Sequence, residues 1–90
     1  MAIYCVTYDL KTPGKNYESV HNYLEKFNHC KKLESFWLID TTKNAADIRD
    51  DLDKLVDGND IIFVAELQKH WASTRYPCAT WLKDESRNWG

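Results

Sequence analysis

Glycine and proline are scarce here, with three and two in 90 residues. That scarcity excludes collagenous and low-complexity chains and leaves few places where regular structure must break. No apolar run reaches the length of a bilayer span, and the N-terminal run MAIYCVTYDLK is interrupted by Asp9, so it reads as neither a signal peptide nor a membrane helix. Cysteine is sparse and odd in number: Cys5, Cys30 and Cys78 are widely spaced, with no CxxC pair that would point to zinc or redox chemistry. Reduced, buried thiols in a soluble cytoplasmic protein are the expectation. A surplus of positive charge is also missing. Twelve basic against 14 acidic side chains leave a net charge of -2, so any nucleic-acid contact must use a local patch or a metal ion.

What the chain does have is a core. Hydrophobic residues make up 43%, and four tryptophans, five tyrosines and three phenylalanines give bulk to a single small domain. Charge is polarised along it: residues 47–60 carry six acids and two bases, a local charge of -4, and the rest sums to +2.

Ile3 to Leu10 alternates Ile3, Cys5 and Thr7 with Tyr4, Val6 and Tyr8, apolar on both faces, which predicts a central strand. A Pro13-Gly14 turn follows, then a helix over about 16–28, capped by Asn16 and striped by Tyr17, Val20, Tyr23, Leu24 and Phe27. Two short strands are expected near 30–34 and 35–40, with a sharp bend at Glu34 and Ser35. Thr41, Thr42 or Asn44 caps a second helix built on Ala45, Ile48, Leu52 and Leu55, and Ile61 to Ala65 forms the last strand. Pro77 starts a short helix that carries Trp81 and Leu82 inward.

The order predicts an α+β, ferredoxin-like βαββαβ domain over residues 1–67 with antiparallel sheet order 4-1-3-2. Residues 68–90 form a C-terminal extension that packs on the same domain or on a dimer mate. In that topology Asp9, Glu34, Ser35 and Asp60 converge on one rim, where carboxylates could hold Mg²⁺ while a substrate phosphate supplies its remaining ligands. Lys11 and Lys15 flank the loop after Asp9, and Lys31 and Lys32 lie on the second strand, so these lysines are the candidate phosphate contacts.

Tyr8-Asp9 closing a first strand, an amphipathic helix, Ser35-Phe36 entering strand three, a second helix and an IleIlePheValAla strand together resemble the CRISPR-associated Cas-two family and its relatives, the virulence-associated VapD ribonucleases. The likeness covers roughly residues 2–67. It implies a homodimer in which Asp9 of each subunit binds a divalent metal for endonuclease cleavage of RNA or DNA, with Ser35 near that metal as a catalytic-site residue. Other family members are non-catalytic, so the alternative is a dimeric interaction or regulatory protein of a defence or mobile-element system. Lys11 stands where the family often has a second Asp, and Tyr17, Glu18 and His21 replace basic residues common on its first helix.

The remaining candidates read structurally. His21, His29 and His70 lack the spacing of a helical zinc site, and His29 is expected at the C-terminus of the first helix, where a cation suits the dipole. Trp37 and Trp81 are assigned to core and dimer packing, because the glycine and aromatic pattern of RNA-stacking strands is absent.

Overall fold

The structure, a computed structural model, describes residues 1–11 and 17–89. The expected Pro13-Gly14 turn, the Asn16 cap and Lys15 lie outside the described residues. Along the chain run β1 (Ala2–Asp9), α1 (Glu18–Glu25), β2 (Asn28–Leu33), β3 (Phe36–Thr41), α2 (Ala45–Asp53), β4 (Ile61–Glu66) and α3 (Ala79–Lys83). The four strands form one sheet in the order β2-β3-β1-β4, antiparallel throughout. Val6 of β1 pairs with Trp37 on one side and Val64 on the other, which makes β1 a central strand and accounts for its apolar residues on both faces.

Strand alternation sorts the interior into two cores. On one face Tyr4, Val6, Tyr8, Trp37 and Ile39 meet Val20 and Leu24 of α1 and Ile48 and Leu52 of α2. Asn44 is the residue that caps α2, its side-chain oxygen accepting from the Asp47 backbone N–H at 2.8 Å. On the other face Ile3 and Leu38 meet Cys78 and Leu82 from the C-terminal segment, with Trp71, Tyr76, Trp81 and Trp89 packed around them. That segment departs directly from β4, where the Leu67 N–H donates to the Ile3 carbonyl at 2.8 Å.

The ferredoxin-like βαββαβ reading is therefore corrected. The α+β class and the antiparallel strand order are those expected, but a ferredoxin-like domain is a two-layer sandwich with one open sheet face, whereas here the C-terminal extension with α3 covers the second face, giving three layers. The C-terminal segment packs on its own chain: its Trp71, Tyr76 and Leu82 share one cluster with Ile3 and Leu38.

The expected reduced thiols are corrected too. Cys30 of β2 is joined to Cys78, at the N-cap of α3, by a disulfide across 48 residues with their Cα atoms 5.9 Å apart. Cys5 alone remains free, half-buried, its thiol pKa pushed up chiefly by burial. The first helix is shorter than its apolar stripe implied. The Phe27 N–H turns back to the Leu24 carbonyl at 3.2 Å and β2 begins at Asn28, so His29 lies in a strand and not at a helix C-terminus.

No helix among the described residues is long and apolar enough to cross a membrane.

Candidate functional site

The end of β1 opens on a groove of about 340 Å³ lined by Tyr8, Asp9, Leu10, Tyr17, His21, Lys31, Glu34 and Ser35. Strand register builds it. Thr7 pairs with Phe36, the first residue of β3, so Tyr8 and Asp9 run on beside the β2–β3 turn that carries Glu34 and Ser35. Ser35 holds a left-handed backbone with φ of 58°, a conformation L residues seldom adopt. Its carbonyl is thereby aimed at β1, where it accepts from Thr7 Oγ1 at 2.8 Å and from the Tyr8 N–H at 3.4 Å.

Trp37 forms the rear support. The indole is buried and its Nε1 donates to the Tyr8 hydroxyl oxygen at 3.1 Å. His21 stands edge-on to it at 5.5 Å between ring centroids, His29 lies tilted at 5.3 Å, and Lys31 Nζ sits 5.8 Å above the ring. That lysine is thus drawn to the groove by the negative face of the indole. Burial pushes the Tyr8 phenol pKa up, the Trp37 hydrogen bond partly offsets this, and the negative charge of Glu34 raises it further. Tyr8 therefore keeps its phenolic proton at physiological pH while its oxygen accepts from Trp37.

Asp9 projects into solvent and its Oδ2 is ion-paired to Lys11 Nζ. Asp60 is a different kind of carboxylate. Its two oxygens accept the backbone N–H groups of Lys11 and Asp57, each at 2.8 Å, so it ties the chain after β1 to the turn before β4. Asp60 does not line the groove, and neither does Lys32; Lys11 reaches its edge through Asp9.

Two carboxylates, those of Asp9 and Glu34, line the groove together. Among the described residues no set of three or more histidine, cysteine or acidic side chains converges as a metal cage would require. Mg²⁺ is commonly held by one or two carboxylates with phosphate and water completing its octahedron. Asp9 and Glu34 are the residues that would hold such an ion, and Asp9 would have to give up its ion pair with Lys11 to do so.

Tyr17 and His21 were not among the residues expected here. They lie four positions apart and share the groove-facing side of the chain around α1, and the Tyr17 hydroxyl donates to the Leu10 carbonyl at 3.3 Å. Their i, i+4 spacing was visible in the sequence, but which feature it faced depended on the position of the β2–β3 turn.

Neither a protein-family model nor a solved structure matches this chain.

Proposed function

We propose that this protein binds nucleic-acid phosphodiesters in the groove at the end of β1 and cleaves them as an Mg²⁺-dependent endonuclease. The observation that carries the reading is that Asp9 and Glu34 line one groove with Lys31, His21 and Ser35. The carboxylates would hold the cation, Lys31 would attract the phosphate, and neutral Tyr8 would donate to a phosphate oxygen. The resemblance of residues 2–67 to Cas-two and VapD proteins points in the same direction. We further propose a homodimer. Ile61 and Phe63 of edge strand β4 are 54% and 59% exposed, more apolar surface than an unpaired edge usually offers to water.

A second reading, a non-catalytic dimeric interaction or regulatory protein, is favoured by one contact: Lys11 already neutralises Asp9. The expected cytoplasmic placement rested on reduced thiols and on the reading of the N-terminal run, and the Cys30–Cys78 disulfide removes the first of these supports.

Labelled RNA and DNA incubated with the pure protein, with and without Mg²⁺, separate the two readings. Divalent-dependent cleavage that Asp9→Asn abolishes without altering fold or assembly supports the nuclease. Binding is expected to be weak, with a log-log salt slope no steeper than about -4, because few lysines reach the groove. If no nucleic acid binds at low salt with Mg²⁺ present, the interaction reading replaces it.

A further inference from the structure

The C-terminal segment builds a second cavity that shares no lining residue with the groove at Asp9. Its volume is about 590 Å³, and its walls come from residues 69–73 on one side and from α3 with residues 84–89 on the other. Leu82, at its base, is anchored in the apolar core beneath. The lining combines two features that rarely coincide on an acidic protein.

The first is aromatic. Trp71 and Trp89 both line the cavity, each half-buried, packed against the Ile3 and Leu38 core and still open to the cleft. The second is cationic. Lys69 and Lys83 are exposed and make no hydrogen bond or ion pair among the described residues. Arg87 adds a third positive charge. Its side chain is only 7% exposed, its guanidinium is stacked over Trp81 at 4.2 Å, and its nearest carboxylate, Asp40, stands off at 3.7 Å. Its Nη2 donates to Ser86 Oγ at 3.1 Å, while its Nε and Nη1 are buried without a hydrogen-bond partner.

Two acids share these walls. Asp84 Oδ1 accepts from the Ser86 N–H at 2.9 Å and from the Ser86 hydroxyl at 2.7 Å, hydrogen bonds that lower its carboxyl pKa and keep it ionised. Glu85 is the remaining acid. The cleft therefore offers two indoles and two exposed lysines, and with Arg87 against Asp84 and Glu85 its lining sums to +1 in a chain whose net charge is -2.

We propose that this cleft is a binding site for a nucleoside monophosphate unit, with the base on Trp71 and Trp89 and the phosphate on Lys69 and Lys83. Indole faces accept any base by stacking, and a phosphate forms charge-assisted hydrogen bonds with lysine and arginine. A free nucleotide and the phosphorylated end of a strand present the same chemistry. The site is independent of the groove reading, because the two share no residue.

Calorimetric titration of the full-length protein with AMP, adenosine, inorganic phosphate and a 5′-phosphorylated tetranucleotide tests it. The expected result is saturable AMP binding at least about tenfold tighter than that of adenosine or phosphate alone. Lys69→Ala with Lys83→Ala, both on the exposed surface, should remove that advantage while leaving adenosine binding unchanged, and Trp71→Leu should weaken both. Asp9→Asn should leave the AMP, adenosine and phosphate titrations, run without divalent metal, unaltered, which keeps failure of the groove reading distinct from failure of this one. Tighter binding of the tetranucleotide than of AMP that the double-lysine variant loses identifies a strand end as the natural ligand; equal or weaker binding at this site identifies the free nucleotide. Absence of saturable binding by either, AMP binding no tighter than that of phosphate, or full AMP affinity in the double-lysine variant overturns the proposal.

Discussion

The two faces of the sheet are covered by different means. On one, α1 and α2 bring Val20, Leu24, Ile48 and Leu52 onto Tyr4, Val6 and Ile39, an apolar contact made by regular helices. On the other, a segment with a single short helix is held by a disulfide and by polar groups inside the apolar layer. Asp40, buried in β3, accepts from the backbone and side-chain nitrogens of Asn88 at 3.2 and 3.1 Å, with Arg87 beyond. Trp81 Nε1 reaches Asn28 Oδ1 at 3.3 Å. A helix satisfies its own backbone and needs only an apolar stripe to dock; an irregular segment must find partners for its polar groups and has less apolar area to stabilise it. The helical face is thus stabilised mainly by burial, and the other face by burial plus a covalent tie.

If that contrast is right, the largest effect should come from the disulfide. Cys78→Ser, or reduction, releases a loop closed across 48 residues, for which chain entropy alone gives about 4 kcal/mol. Hydrogen exchange should show amides of residues 67–89 losing protection first, with those of α1 and α2 following only at global unfolding. Simultaneous loss on both faces would show one cooperative unit and break the comparison.

A next, smaller effect compares equal truncations. Leu52→Ala on the helical face should cost about 3 kcal/mol, since the buried site cannot collapse around the space left behind. Leu82→Ala beneath the C-terminal segment should cost less, about 2 kcal/mol, because an irregular wall can relax into the gap. Urea denaturation of both variants measures the difference, and a larger loss at Leu82 would reverse the ranking.

The smallest effect lies at the solvent edge of the helical face. The Tyr23 hydroxyl donates to Asp51 Oδ2 at 2.6 Å and Lys43 Nζ does so at 3.0 Å. The Tyr23 bond, then Lys43, lowers the Asp51 pKa below the ordinary carboxylate value. A depressed pKa in the folded state contributes stability above the unfolded value of about 3.9 and loses it as pH falls through the folded one. Tyr23→Phe should therefore lower the Tm slightly at neutral pH and converge on the parent in strong acid. A parallel offset at every pH would show that the hydroxyl contributes through packing alone.

The asymmetry also explains what could be read in advance. Alternation in Ile3 to Tyr8 and the three- and four-residue spacing of Ala45, Ile48, Leu52 and Leu55 place their residues correctly, because a strand or helix converts spacing directly into a face. Glu34 and Ser35 reach the groove with Asp9 because antiparallel register follows from short connections. Asp60 lies on the same rim, one residue before the Ile61 that pairs with Asp9, but its oxygens cap the Lys11 and Asp57 N–H groups, since strand order sets which end of the sheet a carboxylate occupies and not which hydrogen bonds it makes.

By itself, the sequence determined the elements, the strand that would lie centrally and the polarity of charge, all of which depend on near neighbours along the chain. Tertiary structure decided the rest: which two of three cysteines pair, how Asp40 meets Arg87 and Asn88, and how Trp71 and Trp89 come to line one cleft with Lys69 and Lys83. Those contacts join residues up to 48 positions apart through a segment with little periodicity, so no local spacing records them. They follow only when the open face of the sheet selects, for an irregular segment, the arrangement that half-buries its tryptophans and leaves its lysines in water.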